Sequence, residues 1–350
     1  MAKRLTKLLD SPVAFTDDCV GDKAERAASQ LRSGEVLLLE NLRYHPEEEA
    51  NDLNFAKQLA GLADVFVQDG FGVVHRAHAS TDAITKHLPS VAGLLLEKEV
   101  TTLTNVMETP KRPLMAVIGG AKISDKIEVL SKLIAIADVV VVGGAMANTF
   151  LLAKGIKTGK SLVERDDVSL AKEIMERARK EAAKRRFVFY IPQDGVVAHK
   201  IDSSAPTRIV DWSAHVVAEI ESYPRIPNRA SSEIGPNEMI LDVGPFTGAF
   251  IAGAVQLSST VIWNGALGVT ETPALHGPVG PYAHGTDLLV DALLGDYGNR
   301  PFTVVGGGDT VGYIESRRLT DAFNHVSTGG GAGLGLMSGK KIPGVGGLQN

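Results

Sequence analysis

The chain has 350 residues, 44% of them hydrophobic, and its 36 Lys and Arg against 41 Asp and Glu leave a net charge of −5. That length is enough for two domains with separate cores, and a mild charge scattered along the chain excludes the basic surface of a nucleic-acid binder. A single cysteine, Cys19, excludes an internal disulfide, and no apolar run reaches membrane-spanning length. A cytoplasmic protein with neither membrane nor nucleic-acid partners is expected.

Residues 1–9 read as a short amphipathic helix with Leu5, Leu8 and Leu9 on one face. The apolar stretch is too short for a signal peptide, and Asp10, Asp17 and Asp18 follow at once. Strands are expected at 35–39 and 63–67, with a helix over 51–62 whose Leu53, Phe55, Ala56, Leu59 and Ala60 are apolar. The run Glu47-Glu48-Glu49 reads as the solvated start of a helix, where negative charge suits the dipole. A longer helix over 94–108, stopped by Pro110 and Pro113, is the expected connection between domains.

Beyond it, 114–118, 139–142, 187–191, 260–263 and 302–305 are near-continuous apolar runs. Such runs suit strands buried on both faces of a parallel sheet. Helical stretches such as 170–184 alternate with them, which gives a doubly wound α/β pattern.

Four glycine-rich turns follow β-branched runs: Gly119-Gly120, Gly143-Gly144, Gly306-Gly307-Gly308-Asp309-Thr310 and Gly329-Gly330-Gly331. A strand that ends in glycine and feeds a helix aims free backbone N–H groups at the site of an anion. In doubly wound sheets these turns gather at the carboxyl ends of the strands. With Lys122 and Lys126 beyond the first turn and Asp309 inside the third, they point to a phosphate-rich ligand with a metal ion. The two lysines lie four apart, so at the start of a helix both would face one phosphate chain.

Two motifs mislead. Gly155-Ile156-Lys157-Thr158-Gly159-Lys160-Ser161 has three residues between its glycines where a P-loop needs four. His75 and His78 have no third ligand nearby and read as polar residues that line a cleft or are satisfied by hydrogen bonds. No G-x-G-x-x-G follows a strand, which removes a nicotinamide dehydrogenase.

Read together, Asp18-Cys19-Val20-Gly21, Leu39-Glu40-Asn41-Leu42-Arg43-Tyr44-His45 and Asp69-Gly70-Phe71-Gly72 with His75-Arg76-Ala77-His78 resemble phosphoglycerate kinase. So do Gly119-Gly120-Ala121-Lys122-Ile123-Ser124-Asp125-Lys126, Trp263-Asn264-Gly265, Gly307-Gly308-Asp309-Thr310 and His325-Val326-Ser327-Thr328-Gly329-Gly330-Gly331-Ala332. The resemblance runs from about the first residue to the last, in the family's motif order. It implies two Rossmann-like doubly wound parallel-sheet domains joined by a helix, and a cleft that closes by hinge motion. It further implies Mg2+-dependent phosphoryl transfer between 1,3-bisphosphoglycerate and ADP, with 3-phosphoglycerate and ATP as the other pair, by a monomer.

By that resemblance Lys122 stabilises the transferred phosphoryl group and Lys126 grips the nucleotide phosphates. Asp309 holds Mg2+ with Thr310, Gly307 and Gly308 beside it, and Gly143 and Gly144 flank the adenine pocket. Asn264 and Glu271 reach the nucleotide's phosphate and ribose, while Arg43 and Arg76 take the phosphate and carboxylate of the phosphoglycerate.

The family's opening motifs, an Arg-Val-Asp-Phe-Asn-type strand, a helix with a catalytic arginine and a His-Leu-Gly-Arg-Pro-type loop, do not occur in this chain. The expected organisation is therefore an incomplete substrate domain over 1–95 and an interdomain helix over 96–110. A nucleotide domain over 111–331 follows, then a tail over 332–350 that returns to the first domain, loosened by Gly344, Gly346 and Gly347. The alternative reading is an inactive Mg-nucleotide-binding remnant or scaffold.

Overall fold

A computed structural model of the protein describes residues 1–213 and 233–348. They divide into two units, Met1–Thr101 with Lys340–Asn350, and Thr102–Gly339; the last two positions of the first lie outside the described residues.

The first unit runs α1 (Ala2–Leu9), β1 (Val13–Phe15), α2 (Gly21–Ser29), β2 (Val36–Leu38), α3 (Pro46–Glu49), α4 (Leu53–Ala60), β3 (Phe66–Gln68), β4 (Ser90–Ala92) and the first half of α5 (Leu94–Glu108). β1 pairs in parallel with β2, and β3 with β4, as separate two-stranded sheets. The core forms where α4 turns Phe55, Ala56, Leu59 and Ala60 onto Cys19, Val20, Ala79, Ala83 and Ile84. Asp52 caps α4, its carboxylate accepting the Phe55 N–H at 2.8 Å. Glu48 departs from the expectation of a solvated acidic run. It is buried, and its carboxylate accepts from the Ser80 N–H (2.9 Å) and hydroxyl (2.6 Å). One strongly placed pair of donors outweighs the pull of water on this one residue of the three.

The tail also differs from its expectation. In α13 (Pro343–Gly346) the Gly344 N–H donates to the Val74 carbonyl at 2.9 Å. A Cβ on Gly347 would lie 2.3 Å from Thr85 Oγ1. These glycines permit close packing rather than slack.

Two-stranded sheets are marginal alone, and Phe15, Val67 and Val91 on them are exposed. Amide hydrogen exchange is therefore expected to show lower protection over 1–101 than in the strands of the second unit. Equal protection in both would contradict this.

The second unit carries β5 (Leu114–Ile118), α6 (Ile127–Ile136), β6 (Val139–Val142), α7 (Gly144–Ala153), α8 (Val168–Ala182), β7 (Val188–Tyr190), β8 (Asp194–Ala198), β9 (Arg208–Asp211), β10 (Met239–Val243), α9 (Pro245–Gln256), β11 (Thr260–Asn264), α10 (His284–Leu294), β12 (Phe302–Gly306), α11 (Gly308–Ser316), β13 (His325–Val326) and α12 (Gly331–Ser338). The five runs read as buried parallel strands join the two-residue β13 in a six-stranded sheet of order β13-β12-β11-β5-β6-β7, parallel at each pairing. β5 and β11 are buried along their whole length. The chain builds outward from β5 to β6 and β7, then returns to β5's other side with β11, β12 and β13. The order reverses between β5 and β11, where such sheets open a ligand crevice.

A second sheet, β10-β8-β9, is antiparallel and was not expected from sequence. The Walker-like loop packs against it: the Lys160 N–H donates to the Glu238 carbonyl (2.7 Å), and Ser161 Oγ accepts the Ile240 N–H (2.9 Å).

Candidate active site

The turns that leave β5 and β11 lie against each other. The Gly119 N–H donates to the Asn264 carbonyl at 2.9 Å, and the Gly120 N–H to the Ala266 carbonyl at 3.3 Å. A Cβ on Gly119 would sit 2.1 Å from the Ala266 oxygen, and one on Gly265, at φ +99°, would sit 2.3 Å from the Gly119 oxygen. Both positions require glycine, because backbone meets backbone there.

Lys126 secures this junction. Its Nζ lies 2.7 Å from the Gly119 carbonyl oxygen, 3.1 Å from the Asn264 carbonyl oxygen and 2.6 Å from Asn264 Oδ1. Burial pushes its ammonium down to about 8, against the upward pull of the Asp309 and Asp125 carboxylates. Asn264 is itself buried.

The helical spacing expected for the two lysines is not realised. α6 starts at Ile127 with Lys126 as its N-cap residue, so Lys122 lies in the preceding turn. There the Glu164 carboxylate accepts from the Ile123 N–H (2.5 Å) and the Ser124 hydroxyl (2.9 Å), which holds the segment out of the helix. Lys122 is exposed.

A pocket of about 210 Å3 opens beside the junction, with Gly120, Gly144, Glu271 and Asp309 in its lining. Gly143 does not line it directly but backs Leu267, which does: a Cβ there would be 2.3 Å from Leu267 Cδ2. Asp309 is exposed in the first turn of α11, after Gly307 at φ +92°. Thr310 is buried, and its hydroxyl accepts the Gly265 N–H at 2.7 Å, tying the β12 and β11 turns together. The structure thus brings Gly120, Gly144, Glu271 and Asp309 into the lining of one pocket, with Lys126, Asn264 and Thr310 in the adjoining junction of the turns and Gly307 and Gly308 at the start of α11.

Sequence reasoning missed two carboxylates on the wall of this pocket. Asp194 accepts the Phe246 N–H (2.9 Å) and the Thr247 N–H (2.8 Å) at the start of α9. Asp242 accepts from Val243 (2.8 Å) and Gly285 (2.9 Å), and burial pushes it up to about 7 against those bonds. The available signal was a carboxylate set at the edge of an otherwise apolar run, in Gln193-Asp194-Gly195-Val196-Val197 and Ile240-Leu241-Asp242-Val243.

In the first unit, Arg43 lies in a single helical turn over Leu42–Tyr44. Its Nε is 3.5 Å from Glu49 Oε1, and its N–H donates to Asn41 Oδ1 at 3.1 Å. Arg76 is exposed, its Nε 3.4 Å from His75 Nε2. His78 Nδ1 is 3.7 Å from the buried Glu48 carboxylate. Burial and the nearby Arg76 and His78 lower the pKa of His75.

The reversed strand order and the converging glycine turns place the second unit among Rossmann-like α/β proteins that bind ligands at the carboxyl edge of the sheet. Residues 1–340 match the family model of phosphoglycerate kinase. The chain is 45% identical over 345 residues to the phosphoglycerate kinase of Moorella thermoacetica, covering 99% of itself and 79% of that protein. It is 41% identical over 350 residues to that of Dictyoglomus turgidum, covering 100% of itself and 80% of the relative. Among solved structures, the phosphoglycerate kinase of Coxiella burnetii aligns with a TM-score of 0.77 at 33% identity, over 98% of this chain and 78% of that one. That of Pyrococcus horikoshii aligns at 0.80 and 28%, over 99% and 81%. The chain belongs to the phosphoglycerate kinase family.

Proposed function

We propose that the protein is a phosphoglycerate kinase of glycolysis and gluconeogenesis. It transfers the acyl phosphoryl group of 1,3-bisphosphoglycerate to the terminal oxygen of ADP, giving 3-phosphoglycerate and ATP, and runs the reverse reaction. The observation that carries this reading is the crevice beside the β5–β11 junction in a chain of this family, with Lys126 securing that junction and Asp309 in the crevice lining. The inactive-remnant alternative is not favoured, since relatives matched over nearly the whole chain carry the enzyme's name.

Phosphoryl transfer asks a protein for alignment and charge neutralisation rather than covalent chemistry. Gly120 lets the nucleotide's phosphates approach the backbone, the α11 N-terminus aims its N–H groups at them, and Gly144 flanks the base pocket. Lys126, with Asn264 holding it, supplies positive charge from below. Lys122, free of the helix, follows the moving phosphoryl group. Glu271 reaches the ribose, and Gly143 backs the base pocket through Leu267. Arg43 and Arg76 fork onto the phosphate and carboxylate of the acceptor.

A hard carboxylate on the pocket wall fits Mg2+, which binds through one or two carboxylates plus substrate phosphates. Asp309 would hold it, and the ion would neutralise charge on the phosphate chain.

Residues 1–95 and 111–331 serve as substrate and nucleotide domains, with 96–110 as the linking helix and 332–350 as the returning tail. The units found at 1–101 with 340–350 and at 102–339 support that division. The protein acts as a cytoplasmic monomer on small molecules, without membrane or nucleic-acid partners. The single cysteine and net charge of −5 support this, and no helix among the described residues is long and apolar enough to cross a membrane.

The test is ATP-dependent phosphorylation of 3-phosphoglycerate by the purified chain, read by coupled NADH oxidation. Turnover supports the reading; a folded chain without turnover overturns it.

Lys126 makes a second test. With its ammonium near 8 in the free protein, arrival of an anionic phosphate raises the pKa again. ADP binding at pH 8 is therefore expected to take up about half a proton. Titration calorimetry in two buffers of different ionisation enthalpy measures this. Lys126→Met should remove the uptake and weaken ADP on the order of tenfold. Unchanged affinity would take Lys126 out of the site.

A further inference from the structure

The pocket is lined from two directions. The turns of the parallel sheet contribute Gly120, Gly144 and Asp309, whereas the antiparallel sheet and its flanks contribute Pro192, Trp212 and Ile240. The carboxylates on this second wall are already engaged, Asp194 with two backbone N–H groups and Asp242 with its own set. What it offers a ligand is therefore chiefly apolar surface.

Trp212, directly after β9, is the large aromatic of that wall. Its indole N–H donates to the Pro192 carbonyl at 2.8 Å, and its backbone N–H to the Gln193 carbonyl at 3.2 Å. The ring lies over Gly195, where a Cβ would come within 2.8 Å of Cη2 and 3.1 Å of Cζ3. A hydrogen bond at one edge and the bare backbone of Gly195 beneath it hold the indole in one orientation. A ring fixed before the ligand arrives loses little entropy when an aromatic ligand packs on it.

We propose that Trp212 is a specificity-determining residue of the nucleotide site. Its indole is the wall on which the base of the nucleoside diphosphate packs, so that a purine is favoured over a pyrimidine. This rests on the reading that the crevice takes ADP: phosphates at the glycine turns direct the base toward the apolar wall. Purines offer the larger π surface, and base–aromatic packing scales with it.

The experiment compares affinities of the full chain for ADP, CDP and inorganic pyrophosphate in native protein, Trp212→Leu and Trp212→Phe. In Trp212→Leu, ADP affinity is expected to fall on the order of tenfold, CDP affinity by less, and pyrophosphate affinity not at all. Trp212→Phe keeps a ring and is expected to retain most of the ADP preference. A loss in Trp212→Leu that is equal for ADP and pyrophosphate means a general structural effect and overturns the proposal. So does an unchanged ADP-to-CDP ratio.

Fluorescence gives a readout without a truncating variant. The chain has two tryptophans, and the other, Trp263, is fully buried with its indole N–H on the Gly265 carbonyl. An ADP-dependent emission change present in native protein and lost in Trp212→Phe supports the proposal; the same change in both overturns it. If the native chain binds no ADP, the nucleotide site fails as a whole. If it binds ADP indifferently to residue 212, only this inference fails.

Discussion

Lys122→Ala is expected to lower kcat on the order of a thousandfold while leaving the dissociation constant of ADP nearly unchanged. The two lysines of the glycine turn are held differently. Lys126 is half-buried, its ammonium on three oxygens of the β5–β11 junction. Lys122 is exposed, and among the described residues no hydrogen bond or ion pair engages its ammonium. A flexible cationic side chain beside a phosphate crevice can follow charge that moves, and gains most where that charge is spread over a phosphoryl group in transit. Removing it should therefore cost the transition state more than the bound nucleotide. Steady-state rates alongside calorimetric ADP binding separate the two. An equal loss in both would assign Lys122 to ground-state binding only.

Gly119→Ala should be the most damaging small substitution in the second unit. The new Cβ would be placed 2.1 Å from the Ala266 oxygen and 2.6 Å from the Gly265 oxygen. Neither is the movable end of a side chain, so the turns must part, and the hydrogen bond from Gly119 to Asn264 and the seat of Lys126 go with them. A loss of about 3 kcal/mol is expected, seen as a Tm lower by roughly 10 °C. Gly253 in α9 is the control, because a Cβ there meets nothing within 4 Å. Gly253→Ala should stabilise slightly through helix propensity. Similar Tm values for the two variants would show that the close approach at Gly119 is relaxed at little cost.

The parallel sheet was legible because its strands are short apolar runs with no competing pattern. The runs at 114–118 and 139–142 became β5 and β6 residue for residue. The antiparallel sheet was not legible. β8 opens on a buried Asp194, β9 ends on a buried Asp211, and β10 contains Asp242. Buried carboxylates within strands look like loop residues until their backbone donors are known. β1, β4 and β13, at two or three residues each, give periodicity nothing to work on. In the candidate site, residue types marked glycine-rich turns, and the fold brings residues from several of those turns to one crevice. What spacing could not give was the partner of each group. Lys126 is bound to Asn264, 138 positions away, and the helix expected beneath Lys122 is displaced by Glu164 from a distant loop.

The first unit is discontinuous in the chain, with Gly344 and Gly347 lying against Val74 and Thr85. On the ribosome this separates order of synthesis from order of completion. Residues 1–101 emerge first, yet their packing cannot close until residue 347 has cleared the exit tunnel. At about 5–20 residues per second, the intervening second unit delays that by roughly ten seconds or more. During that interval the early segment has only its two-stranded sheets and a small core. Nascent chains stalled at residue 339 should therefore be cut by protease within 1–101 more readily than chains stalled after residue 347, with the tunnel length added to both.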